Sequence, residues 1–238
     1  MIMIPVSFAL AFGQPLVPEL TSYHQQKKHK VVTKTIQLVI KLTLFITLPA
    51  VIGVSLLSDS VYILLYPITK ELNILGGQLF KIGVWLGLFY ALYSIFCSIL
   101  QGLNLQKKGI TYLFISIGIK YVANQLLVPL CGINGFIYST ILTYSIWIIL
   151  SYLQIKKHAQ ILLKALIQDT IPILISCLVM TLTVILLKQR ISTWNLSGKL
   201  YDLVELGICG VSGAAIYFLT NYLLNTLHKK MKKGILRH

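Results

Sequence analysis

Residues 118–136 read GIKYVANQLLVPLCGINGF, and Lys120 stands inside an apolar run with no acid beside it. Residues four apart share a helix face. Tyr112, Ser116, Lys120 and Asn124 therefore form one polar stripe. If the run over 110–130 is a membrane helix, Lys120 lies about ten residues from either end, or ~15 Å of rise. Its ammonium cannot reach water along its own stem from there. Facing lipid, it would cost roughly 2.5–3.5 kcal/mol on insertion scales. Two arrangements avoid that cost. The stripe lines the bundle interior or a water-filled cavity, where Lys120 attracts an anion and Ser116 and Asn124 stand beside it. Alternatively the lysine is structural and bonds helix carbonyls. These residues alone leave the ligand unnamed.

The chemistry of an enzyme is not written here. The sequence has no HExxH, no GxSxG, no P-loop and no DxD pair. Glu19, Asp59, Glu71, Asp169, Asp202 and Glu205 are scattered, mostly near the ends of apolar runs. Only Glu205 falls slightly inside a run, within reach of the interface. No two acids share a motif suited to acid/base work. Cys97, Cys131, Cys177 and Cys209 lack ligand spacing and read as small hydrophobes. The five histidines lie in polar gaps or the tail. Neither a metal nor a cofactor is expected.

The elements that must hold the stripe follow from composition. Of 238 residues, 56% are hydrophobic and only 11% charged, with mean hydropathy +0.80. A water-soluble domain needs a polar shell that this chain does not supply. The fold class is all-α, a polytopic transmembrane bundle of about seven spans. The expected spans are 1–19, 36–57, 79–100, 110–130, 133–153, 171–187 and 203–224. Pro5, Pro15 and Pro18 break the first near its end, and Pro49 kinks the second. Only Cys131 and Gly132 separate the fourth and fifth, which makes them a tight antiparallel hairpin. Gly83 and Gly87 permit close packing of the third span. Gly207, Gly210 and Gly213 thin one side of the last. Residues 59–69 are too short to span and read as an interfacial extension. Residues 158–169 alternate as an amphipathic surface helix or a plain connector.

Lys and Arg number 21 against six Asp and Glu. Such a charge can mark nucleic-acid binding, but the lysines sit in short gaps between apolar runs. They enrich alternate gaps, at 27–34, 107–108, 156–164 and the tail from Lys229. That pattern puts those gaps and the C-terminus in the cytoplasm and the N-terminus outside, in a plasma-membrane protein. The gap holding Lys188, Arg190 and Lys199 is the one untidy member.

Four stretches carry a family likeness. FALAFGQPLVPELTSY contains Leu16, Val17, Pro18, Glu19 and Leu20 in an "LVPxISE"-like ending. LFITLPAVIGVSLLSDSVYILLY holds Pro49, Gly53 and Leu57 in an "lP…G…L" pattern. SILQGLNLQKKGI carries Leu100, Gln101 and Gly102 as an "LQGlgk" turn. The fourth places Lys120, Asn124, Pro129, Gly132, Ile133 and Gly135 as in "iKxxxNxxLIPxxGIxGaa". In order and spacing they resemble the multidrug/oligosaccharidyl-lipid/polysaccharide flippase superfamily, in its polysaccharide biosynthesis and stage V sporulation protein B branch. The resemblance covers about 1–155 by motif and the remaining spans by position.

The resemblance implies helices eight to fourteen of a fourteen-helix, two-lobed exporter of lipid-linked saccharide precursors. It divides the chain into second-lobe helices over 1–155, a cytoplasmic amphipathic connector over 156–170, a final transmembrane pair over 171–227 and a basic cytoplasmic tail over 228–238. The abrupt start in apolar sequence reads as a truncation of that longer pattern. The implied partners are a polyprenyl-pyrophosphate-linked saccharide, membrane lipids, and a missing N-terminal half or a second subunit, with no nucleic acid. The alternatives are half of a multidrug antiporter and a structural membrane subunit that transports nothing. The orientation is tested by single-cysteine labelling in intact cells. An external reagent should reach a cysteine in the turn after Leu130 and not one at Lys229; labelling of both reverses the conclusion.

Overall fold

The structure, a computed structural model, describes residues 6–7, 11, 15–66, 70–159, 163–193 and 199–235. The described residues form helices: α1 (Leu16–Gln25), α2 (His29–Leu56), α3 (Ser58–Leu65), α4 (Lys70–Gly83), α5 (Trp85–Gly102), α6 (Gln106–Cys131), α7 (Ile133–Ala159), α8 (Leu163–Ile191) and α9 (Lys199–Ile235). Hydrocarbon offers no partner to a free N–H or C=O, so apolar runs of this length satisfy their backbone internally as helices.

Among the described residues, six stretches are long and apolar enough to cross a membrane: His29–Leu56, Gly76–Gly102, Gln106–Cys131, Ile133–Ala159, Leu166–Ile191 and Leu200–Thr226. They correspond to six of the seven expected spans. Most of the seventh, over 1–19, lies outside the described residues; its end belongs to α1. The helices outrun the apolar windows. The sixth expected span was 171–187, whereas α8 runs from Leu163 to Ile191. Residues 163–169 are therefore the opening turns of α8 and not a separate surface helix, and residues 158–159 close α7. Residues 160–162 lie outside the described residues. A hydropathy window ends where charge begins, but helical hydrogen bonding continues through Lys188 and Arg190.

The chain divides into two compact units. The first comprises 1–47 and 82–166; the second comprises 48–81 and 167–238. In the first, α6 and α7 pack along their length, α5 lies against both, and α1 lies against α5. Its core joins Val32, Ile36 and Ile40 of α2 to Ile95 and Ile99 of α5 and to Trp147 and Ile155 of α7. In the second unit α3 packs on α9. Gly213 of α9 makes a close approach to α8: a Cβ on it would lie 2.9 Å from Val184 Cγ2. Gly207 and Gly210 have nothing within 4 Å, so the thinning of that helix is used at one glycine of three.

The α6–α7 hairpin shows how sequence sets packing. Gly132 joins the helices with φ +59°, a conformation that glycine adopts without a Cβ penalty. On α7 the buried positions Gly135, Ser139, Thr143, Trp147 and Ser151 recur every fourth residue. Three small side chains at the turn end of that row let α6 approach closely. At Gly135 the approach is closest: a Cβ would fall 2.2 Å from the carbonyl oxygen of Leu127. Backbone cannot yield as a side chain does. Gly135→Ala should lower stability by about 1–3 kcal/mol, the usual cost of overpacking. Gly118→Ala, where nothing lies within 4 Å, should be neutral or slightly stabilising. Thermal unfolding of the two variants in detergent checks the contrast.

Candidate functional site

The stripe on α6 turns toward α7. Tyr112 donates its hydroxyl proton to Gln154 Oε1 at 3.1 Å. Ser116 is buried, and its Oγ has no hydrogen-bond partner among the described residues. Asn124 Oδ1 accepts a hydrogen bond from Ser139, whose hydroxyl also points at the Phe136 carbonyl oxygen, 2.9 Å away. Lys120 lies between them, half-buried, with its Nζ 5.1 Å from the centre of the Phe136 ring. The ring face carries negative potential, and such contacts contribute roughly 0.5–2 kcal/mol depending on desolvation.

These four residues therefore differ in what they can do. Tyr112 and Asn124 spend polar atoms on the hairpin. Ser116 is buried and out of reach of a ligand. Lys120 is held by an aromatic face, which satisfies charge without consuming its N–H donors. No Asp or Glu occurs anywhere between Glu71 and Asp169. An anion approaching Lys120 meets no competing carboxylate from that stretch. Phe136 was not singled out in the sequence. In sequence it is an aromatic four positions beyond the turn glycine, and nothing there marks its reach to a lysine twelve positions before that glycine.

A second buried charge site lies in the other unit. Glu205 on α9 is only 1% exposed, which corrects the expectation that it reaches the interface. Its Oε2 accepts a hydrogen bond of 2.5 Å from Ser60 of α3. Its Oε1 is 3.3 Å from Lys188 Nζ on α8, the one ion pair among the described residues. Lys188 also donates to the Leu56 carbonyl oxygen at 3.3 Å, at the end of α2. Four helix ends are thus tied by one carboxylate and one ammonium. The sequence contained a hint of this, since Lys188 directly follows one apolar run and Glu205 falls just inside the next, but nothing marked Ser60. The described residues hold no group of three or more His, Cys, Asp or Glu able to bind a metal.

A family model described as Lipid II flippase MurJ matches residues 1–204. The chain belongs to this family. The superfamily expected from the four motifs is the one found. A relative from Bacillus subtilis (strain 168), "Lipid II flippase MurJ", is 30% identical over 236 residues. The match covers 96% of this chain and 42% of that protein, so the chain spans about two-fifths of the relative's length. Among solved structures, "Lipid II flippase MurJ, inward closed conformation" superposes with a TM-score of 0.67 at 16% identity, over 93% of this chain and 44% of that one. At that identity the likeness shows the fold alone. With six apolar helices of spanning length among the described residues, the chain is a multi-pass plasma-membrane protein of the MurJ family.

Removing one partner of a buried ion pair strands the other. Lys188→Ala should therefore destabilise the protein more than the double variant Lys188→Ala/Glu205→Gln, in which no charge is left buried. Because Lys188 is about one-third exposed, the single variant should cost about 1–3 kcal/mol, below the full buried-pair range. Unfolding midpoints of the two variants and the parent decide it.

Proposed function

We propose that this chain supplies one lobe of a membrane flippase for lipid-linked saccharide precursors, with Lys120 facing the phosphate-bearing headgroup. The single observation that carries the reading is a mid-span lysine, paired with no acid among the described residues, in a chain of the MurJ family. A pyrophosphate crossing the hydrocarbon needs a fixed positive charge to offset the loss of hydration. Lys120 provides it, and Phe136 holds the ammonium in place while its donors stay available. Asn124 and Ser116 act behind it: Asn124 fixes the hairpin through Ser139, and Ser116 lets the two helices meet at the level of the charge. The transport is a physical relocation and needs no catalytic residue.

The lobe reading places α1–α7 as second-lobe helices and α8–α9 as the final pair, with the lysine-rich gaps and tail in the cytoplasm. Alternating access requires a second wall opposite the substrate. That wall comes from a further set of helices, on the same polypeptide, a partner subunit or a second copy. The relative's greater length supports this. The antiporter alternative gains nothing from Glu205, because that buried carboxylate is already committed to Lys188 and Ser60.

Two measurements test the proposal. In the complete two-walled assembly, Lys120→Ala should weaken binding of a polyprenyl-pyrophosphate saccharide by roughly tenfold or more, the loss of one charge-assisted contact. Binding of a neutral lipid of the same chain length should not change. Lys120→Arg should keep part of the affinity, with altered geometry. Equal effects on charged and neutral lipids would assign the lysine a structural role. The chain reconstituted alone should not flip the lipid, and robust flipping by it would end the lobe reading.

A further inference from the structure

The first unit carries eleven lysines and one acid, Glu19. Most of these lysines gather at one end of it. Thr33, near the start of α2, donates to the Ala159 carbonyl oxygen at the end of α7. Tyr112, in the second turn of α6, bonds Gln154 near that same end. Leu20 of α1 packs on Gly102, the last residue of α5. The turn around Lys27 and Lys28, the α5–α6 turn and the end of α7 therefore share one face, with Lys107, Lys108, Lys156 and Lys157 exposed on it.

A cavity of about 230 Å³ opens beside the α5–α6 turn, between α5, α6 and α7. Its back is closed by Trp147 and Leu100, both 2% exposed, and Trp147 is fixed by donating to the Gly109 carbonyl oxygen at 3.2 Å. Tyr93 packs on the indole with ring centres 4.5 Å apart. The open side is graded. Leu113 and Ile110, both exposed, form its apolar part. One to two turns earlier on the helix system, Gln106 and Gln101 present exposed amides, and Lys107 and Lys108 follow at once. No acid lines it.

We propose that this cavity is a seat for an anionic phospholipid. The order of groups along the helix axis matches that of such a lipid: acyl carbons against Ile110 and Leu113, the ester region at the glutamines, the phosphate between Lys107 and Lys108. The aromatic back wall is the kind that sits at headgroup level, with an apolar body and a polar tip. Basic recesses between membrane helices recognise acidic headgroups by the same means. A small cation finds no carboxylate here. A wholly water-soluble anion leaves the apolar half unfilled. The site lies apart from Lys120 along α6 and is independent of the flippase reading.

The test uses Trp147 as its own reporter. Trp85→Phe and Trp194→Phe leave it the sole indole in the chain. The purified full chain is placed in phosphatidylcholine vesicles containing a minor fraction of acyl-brominated phosphatidylglycerol or acyl-brominated phosphatidylcholine. The glycerol lipid should quench Trp147 more strongly than the choline lipid at equal fraction. Lys107→Gln/Lys108→Gln should abolish that excess, and Lys107→Arg/Lys108→Arg should retain it. Lys156→Gln/Lys157→Gln removes the same charge from the same face away from the cavity and should retain it too. No excess in the parent overturns the proposal. So does an excess that survives Lys107→Gln/Lys108→Gln, or one lost equally in both glutamine pairs, which assigns the effect to the diffuse field of the basic face.

Discussion

A charge inside hydrocarbon must be neutralised, solvated or held by a polarisable partner, and this constraint organises both units. Lys188 and Glu205 satisfy it as a pair, with Ser60 and the Leu56 carbonyl taking further hydrogen bonds. Lys120 satisfies it on an aromatic face. The two solutions have different consequences. An ion pair consumes charge on both sides and fastens helices together. A cation over a ring keeps its full charge and its donors, so it remains able to take an anion. Of the two lysines, Lys188 fastens helices, while Lys120 rests on a ring and keeps its donors.

The hairpin that carries Lys120 depends on small residues. Gly132 turns the chain, Gly135 allows the Leu127 backbone against α7, and Ser139 reaches Asn124 only because the helices are that close. In lipid there is little hydrophobic gain from burying one apolar helix on another. Close packing and interhelical hydrogen bonds must hold the pair, which explains why its row of contacts is Gly, Ser and Thr before it reaches Trp147. Van der Waals contact between backbones sets the distance, and that distance sets where the Phe136 ring meets the ammonium.

The class of fold was legible because hydropathy alone identifies membrane helices, and the 131–132 turn was legible because two residues cannot hold anything longer. Helix ends were not. Backbone hydrogen bonding carried α8 and α9 well past their apolar windows, and α4 was not anticipated because Lys70, Glu71 and Asn73 mask its helical period. The polar stripe was legible from i to i+4 spacing, but its direction was not. A stripe of mixed polar residues fits a cavity wall and a helix–helix seam equally well in sequence, and only the partners on α7 distinguish Tyr112 and Asn124 from Lys120. The grouping of 48–81 with the last two helices was hidden for another reason: contacts between segments more than a hundred residues apart leave no local trace.

The Lys188–Glu205 pair does a different job from the charges of the loops. Orientation is biased by Lys and Arg in short loops and near the span ends, and acids count for little there. Pairing therefore leaves Lys188 in that tally, and the gap between α8 and α9, with Arg190 and Lys199, stays as basic as the 107–108 turn. What the pair governs is packing. The ammonium lies 3.3 Å from a buried carboxylate and 3.3 Å from the Leu56 carbonyl oxygen, while Ser60 donates to the same carboxylate, so the end of α2 and the start of α3 are drawn onto α8 and α9. Removing either charge leaves its partner inside the bundle without a counter-ion, and in a low dielectric that loss exceeds what the pair itself contributes.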